Sequence, residues 1–204
     1  MRPCTRRTSR RTRRSRTSCS WGSDGPTVTR PLVLIVTTSL DGFIAETDGG
    51  VGWLAPPPAS TPADYDELVA SIDTLVMGSA TYLASLDLAG GTEIFSGKRV
   101  CVFTSREGLP ATAGVEFVQE PAEEFVPRLK EEPGGSIWLF GGGKLATALS
   151  DAGLVDEYLV AVQPILLGDG IPLWRTPHAR TRLELVAARA WPGGIAELRY
   201  RRRP

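Results

Sequence analysis

The sequence predicts an α/β fold in which a mostly parallel central sheet is flanked by helices and ends in antiparallel strands at its C-terminal edge. Three observations carry this. Leu32-Val33-Leu34-Ile35-Val36 is an unbroken apolar run of strand length, as a strand buried on both faces requires. Further short β-rich runs alternate with short helical segments, which is how parallel strands must be joined. Finally, two late β-rich stretches flank Trp191-Pro192-Gly193-Gly194, whose turn residues suit a hairpin.

After the first strand, the Gly- and Pro-rich segment from Asp41 to Pro62 reads as a loop. Pro62 opens a helix over 63–72, with Asp64, Asp66 and Glu67 in its first turn, where acids complement the helix dipole. A strand follows at 74–77 and a short helix at 79–86. Strands are expected at 99–103 and 115–118, a helix at 122–130, a strand at 136–140 and a helix at 144–151. The stretch 157–167 is β-rich, and the closing strands run over 182–190 and 195–202. No internal repeat is visible, and residues 29–204 read as one domain.

The charge total of 23 Lys+Arg against 23 Asp+Glu conceals a segregation. Residues 1–20 carry eight arginines and no acid, leaving 15 basic against 23 acidic side chains in the rest. Residues 1–28 lack hydrophobic periodicity and are expected to be disordered. Several readings of this arm stand side by side: a mis-assigned start with the true initiator near Val28, an unstructured tail, a nucleic-acid or acidic-partner arm, and an organellar leader. No apolar stretch reaches the roughly 18 residues of a membrane span, so a cytoplasmic protein is expected. The three cysteines (Cys4, Cys19, Cys101) and one histidine (His178) cannot supply a zinc site or a disulfide framework. His178 lies in a Pro-flanked polar turn, a poor place for a catalytic base.

In open α/β sheets ligands bind beyond the carboxyl ends of the strands. Three such ends carry anion-friendly chemistry. Gly141-Gly142-Gly143-Lys144-Leu145 follows a strand and opens a helix, so bare backbone N–H groups meet a helix N-terminus, as a pyrophosphate would want. A tight turn that needs glycine only for packing is the competing reading. Thr104-Ser105-Arg106 offers two hydroxyls and a guanidinium suited to a phosphate monoester, or else a polar turn. Gly78-Ser79-Ala80-Thr81 begins a helix after another strand. Three such ends in one sheet favour a dinucleotide. Asp41, beside the Gly42 bend, either orients a substrate and relays a proton or caps its own turn.

Taken in order, Ser39–Ala45, Val76–Tyr82 and Gly141–Tyr158 running on to Gln163–Leu173 resemble the dihydrofolate-reductase-like superfamily. The nearer likeness is to the branch of the reductase domain of the riboflavin-biosynthesis deaminase-reductase. The resemblance implies an NADPH-dependent reductase, commonly a homodimer. It implies that Gly78, Ser79 and Thr81 line the cofactor phosphates, that Thr104, Ser105 and Arg106 hold the adenosine 2′-phosphate, and that Gly141, Gly142, Gly143, Lys144 and Leu145 cover the pyrophosphate and nicotinamide. Ser39 and Asp41 would lie by the nicotinamide and substrate, Asp41 as the catalytic group, with Glu157 a further substrate contact. The chain departs from the riboflavin enzymes at Phe43, where they carry a basic residue after Asp-Gly. No Lys or Arg occurs from Pro31 to Gly97, whereas nine acids do. Phe43, Trp53, Leu54 and the Pro56–Pro58 run instead suggest an apolar lid over a smaller or less anionic acceptor. The alternatives are a folate-type dihydrofolate reductase, with Asp64, Asp66 or Glu67 as the pterin-binding acid, and a non-catalytic nucleotide-binding protein whose arm binds nucleic acid.

Overall fold

The computed structural model describes residues 29–55, 61–87, 93–110 and 112–203. The arm 1–28, with Cys4 and Cys19, and the Pro56–Pro58 run lie outside them. Among the described residues ten strands and four α-helices follow in chain order: β1 (Leu32–Thr38), β2 (Phe43–Ala45), α1 (Ala63–Ser71), β3 (Ile72–Gly78), α2 (Ser79–Asp87), β4 (Arg99–Phe103), β5 (Val115–Val118), α3 (Ala122–Glu131), β6 (Ser136–Gly141), α4 (Gly143–Asp151), β7 (Glu157–Val162), β8 (Ile171–Pro172), β9 (Leu183–Ala190) and β10 (Ala196–Arg202).

Eight strands form one sheet in the order β5-β4-β3-β6-β1-β7-β10-β9, and β2 pairs with β8 in a separate two-stranded ribbon. The strands from β5 to β7 are mutually parallel; β10 runs antiparallel to β7, and β9 antiparallel to β10. The parallel body with an antiparallel C-terminal edge is the predicted architecture.

The apolar run of β1 is explained by its position at the centre of the sheet. Leu32 and Leu34 face a core built with α3 and α4 through Val126, Leu129, Leu145 and Leu149, while Val33 and Ile35 face a second core with Leu68 of α1 and Tyr82 of α2. With both faces covered, an alternating pattern would bury polar side chains without partners, so every position is apolar. Each such side chain contributes about 1.5–3 kcal/mol by leaving water. Cys101 belongs to the first core, and burial pushes its thiol up to about 11, so it stays protonated and inert.

Polar ties pin the amino ends of the strands. Arg30, only 6% exposed, donates to the Gly135 carbonyl (2.8 Å) and Thr74 Oγ1 (2.7 Å), and pairs with Asp73. Asp156 accepts from the Leu32 amide and from Lys130 Nζ, both at 2.7 Å.

Two expectations change. The segment 41–62 is not all loop, because β2 lies within it and meets β8 with Phe43 opposite Pro172. A strand of three residues whose partner is far away in sequence leaves no periodicity to read. The β-rich stretch 157–167 ends as a strand at Val162, since Pro164 has no N–H to continue the ladder.

Candidate functional site

The carboxyl ends of β4, β3 and β6 lie side by side, and this sets the geometry. Met77 is in register with Gly141, and Gly78 with Phe103. The first turn of α2 therefore stands next to the glycine turn that opens α4, with Thr104, Ser105 and Arg106 on the outer side. A Cβ placed on Gly142 would come within 3.0 Å of Thr81 Oγ1 and 3.9 Å of Ile44 Cδ1. Gly78, Ser79, Thr81, Gly141 and Gly142 thus meet at one place, where two helix N-termini supply unpaired N–H groups and partial positive charge. Ser105 and Arg106 are exposed, and Thr104 Oγ1 accepts from the Arg106 amide at 2.9 Å, which fixes the turn.

The three glycines have different reasons. A Cβ on Gly143 would fall 2.4 Å from the Pro172 carbonyl oxygen and 2.7 Å from that of Leu173, so Gly143 serves the packing of β8 on α4. Gly142 and Gly141 face Thr81 instead. Lys144 is exposed on the first turn of α4. Leu145 is 9% exposed and packs into the core, so its side chain is structural rather than ligand-facing.

The rim beyond β1 is a closed hydrogen-bonded unit. Ser39, 1% exposed, donates to Asp41 Oδ1 at 2.6 Å, and its hydroxyl oxygen accepts from the Phe43 amide at 2.9 Å. Asp41 also accepts from the amides of Gly168 (2.8 Å) and Leu167 (3.2 Å). The Ser39 hydroxyl, above all, and these amides hold its carboxyl below the usual carboxylate range. Asp41 is therefore ionised at neutral pH and fastens two rim loops together, which does not suit it to deliver a proton. Phe43 packs over Gly170, where a Cβ would lie 3.2 Å from the Phe43 ring. The Trp53 indole Nε1 is buried without a hydrogen-bond partner among the described residues.

Glu157 is a correction. It pairs with Val33 at the start of β1, whereas Thr38 at the other end meets Val162, so Glu157 lies at the amino ends of the strands, away from the crevice. Its carboxylate is taken by Arg199 (2.7 Å and 3.0 Å) and Arg201 (3.3 Å).

On the other flank of β1 a row runs across the sheet at the carboxyl end: Thr37, Ala161, Glu197 and Arg189 are in register. Arg189 donates Nη1 to Asp64 Oδ1 at 2.8 Å and Nη2 to Oδ2, and stands 3.7 Å from Glu197 Oε1. These hydrogen bonds from Arg189 hold the Asp64 carboxyl below its usual range. Burial pushes Glu197 up, with Arg189 opposing and Asp64 reinforcing the rise. Tyr65 and Trp191 pack edge to face above, centroids 5.7 Å apart. Ile44, Arg189 and Glu197 had no role from the sequence. The hairpin turn held the signal for the last two, since counting outward from it sets Arg189 opposite Glu197.

Residues 30–196 match the family described as the RibD C-terminal domain. The chain belongs to that family. It is 32% identical over 171 residues to YwjB of Bacillus subtilis (strain 168), covering 84% of this chain and 97% of that one, and 29% identical over 185 residues to YyaP of the same organism; both are described as uncharacterized. Among solved structures, a protein ascribed to riboflavin biosynthesis from Shewanella sp. PV-4 superposes with TM-score 0.70 at 23% identity, over 85% of this chain and 99% of that one. The deaminase/5-amino-6-(5-phosphoribosylamino)uracil reductase of Thermotoga maritima gives 0.63 at 17%, covering 86% of this chain and 57% of that one. Dihydrofolate reductase of Enterococcus faecalis, complexed with NADP(H), gives 0.59 at 17%, over 85% and 97%. The fold of this RibD C-terminal domain protein is dihydrofolate-reductase-like. Among its described residues no helix is long and apolar enough to cross a membrane, and no three His, Cys, Asp or Glu side chains gather as a metal site.

Proposed function

We propose that the chain is an NADPH-dependent reductase that transfers a hydride to a small acceptor less anionic than a phosphoribosyl compound. The carrying observation is the approach of Thr81 to Gly142, which leaves a cradle between two helix N-termini that a Cβ would fill. The donor set fits the cofactor: the amides at the starts of α2 and α4, with Ser79 and Thr81, for the pyrophosphate, and Thr104, Ser105 and Arg106 for the 2′-phosphate. When bound, NADPH supplies the hydride from its nicotinamide ring. The chain's part is to hold and shield. Ile44, over Gly142, offers an apolar surface that excludes water, and the Ser39–Asp41 unit fixes the loops on either side. Asp41 acts here by positioning.

Pro31–Gly97 contains no Lys or Arg, and Arg189 is paired with Asp64 and lies 3.7 Å from Glu197. The reading includes a cytoplasmic homodimer, supported by the family likeness and by edge strand β9, whose Leu185 and Val186 are exposed. Calorimetric titration of NADPH tests the cofactor, and light scattering tests the dimer. Absence of saturable NADPH binding overturns the reductase reading, and a monomeric mass overturns the dimer.

A further inference from the structure

The amino ends of the parallel strands form the pole opposite the crevice, and a group of arginines stands there without carboxylate partners. The end of β10 and the segment leading into β9 reach this pole. The Arg202 amide donates to the Asp156 carbonyl at 3.0 Å, and the Arg203 amide to the Arg182 carbonyl at 3.1 Å. Arg180, Arg182, Arg202 and Arg203 are all exposed. None of the four forms an ion pair among the described residues, whereas Arg99, Arg128, Lys130, Arg199 and Arg201 each hold a carboxylate. Arg202 Nη1 would lie 3.1 Å from a Cβ on Gly153, at the C-terminal end of α4, where the helix dipole favours a cation. Two acids stand beside the group: Asp151, whose Oδ1 accepts from the Ala179 amide at 2.9 Å, and Glu184, opposite Arg201 in the ladder.

The arginine-rich arm joins the described chain at this same pole. Thr29 is followed by Arg30, whose amide donates to the Lys130 carbonyl near the C-terminal end of α3. Leu32 and Arg202 bond to Asp156 from either side, so the arm's attachment and the group lie about two strand spacings, or 10 Å, apart. We propose that this pole is a nucleic-acid-binding surface, in which Arg180, Arg182, Arg202, Arg203 and the arm's arginines contact backbone phosphates. Guanidinium forks match phosphate oxygens, and unpaired ones give up no carboxylate to do so. Outside residues 1–20 the chain has 15 basic against 23 acidic side chains, so a polyanion is repelled by most of it and admitted here. A phosphate-bearing membrane is the poorer fit: residues 1–20 contain no Leu, Ile, Val, Phe or Trp with which to insert. The pole lies away from the crevice, so this surface does not rest on the reductase reading.

The test is fluorescence anisotropy of the full chain with a labelled DNA duplex of random sequence and with single-stranded RNA, at about 50 mM and 200 mM salt. Saturable binding that weakens steeply with salt is expected for at least one of them. Arg182→Gln with Arg203→Gln is expected to weaken it at least about tenfold and to lower the salt slope by about 2. Arg182→Lys with Arg203→Lys keeps the charge and is expected to retain most of the affinity. Arg99→Gln with Arg128→Gln makes an equal change of charge at ion-paired positions and is expected to cost less than about twofold. The proposal is overturned if neither nucleic acid binds saturably. Equal losses in the two Gln pairs would also overturn it, since net charge alone would then act. So would undiminished affinity in the Arg182 and Arg203 pair, which would leave the arm as the whole site. Polyglutamate or phosphatidylserine vesicles binding as tightly as nucleic acid would assign the pole to an acidic protein or a membrane instead.

Discussion

Gly142 faces the Thr81 side chain so closely that a single added methyl carbon would sit 3.0 Å from the hydroxyl oxygen. The contact is tight but involves a side chain that can turn, so the fold survives a substitution while the space between the helix N-termini does not. Gly142→Ala is expected to weaken NADPH about tenfold or more, the worth of one lost charge-assisted hydrogen bond, with little change in melting temperature. Calorimetry alongside thermal melts measures both quantities. Undiminished affinity would remove the cradle from the cofactor site.

Gly143 makes the opposite prediction. Its Cβ would meet two backbone carbonyl oxygens, at 2.4 Å and 2.7 Å, and backbone cannot turn aside. Gly143→Ala must push β8 off α4 and is expected to cost about 2–4 kcal/mol, as other overpacked or strained sites do. Denaturant unfolding reads this directly. A variant as stable as the parent would show that β8 moves freely.

Arg106 is exposed on the outer side of the cradle, beside Thr104 and Ser105. A 2′-phosphate distinguishes NADPH from NADH, so Arg106→Ala is expected to weaken NADPH roughly ten- to hundredfold while barely changing NADH. Equal losses for the two cofactors would place Arg106 elsewhere in the site.

These three positions show what could be read in advance. Strand ends, glycine turns and the hairpin have local signatures, so the parallel body, the antiparallel edge and the helix starts at Ser79 and, to within one residue, Lys144 were legible from residue patterns. The residues proposed to hold the cofactor, Leu145 aside, come together because neighbouring parallel strands deliver their ends to one place. What was not legible depends on partners distant in sequence. The β2–β8 ribbon is too short to show a period. Asp41 looked like a lone carboxylate, and only the fold brings Leu167 and Gly168 to it. Glu157 looked available for a substrate, but its strand starts at the far end of the sheet, where Arg199 and Arg201 claim it.

Asp41 gives a prediction about loops. Removing its carboxylate with Asp41→Ala frees the Leu167 and Gly168 amides and the Ser39 hydroxyl together. Faster hydrogen exchange over residues 163–170 is expected, with unchanged exchange in β1. Because the folded carboxyl lies below its usual range, its stabilisation is present above the unfolded value of about 3.9 and is lost as pH falls through the folded value. The parent's loop should thus loosen in acid toward the behaviour of the variant. Identical exchange in both proteins at neutral pH would show that the carboxylate ties nothing.

Glu197 has the reverse sign. Burial raises its folded pKa, so its contribution is fully present below the unfolded value of about 4.3 and is lost as pH rises through the folded one. The nearest cation to its carboxyl, Arg189, stands 3.7 Å away and is shared with Asp64. Glu197→Gln keeps the shape, removes the charge and leaves Arg189 its bidentate partner. The variant is expected to gain stability relative to the parent as pH rises from about 4 to 7, because only the parent pays for ionising a buried carboxyl over that interval. Urea unfolding of both proteins across this interval tests the sign. If the parent instead becomes the more stable of the two as pH rises, attraction to Arg189 outweighs the cost of burial.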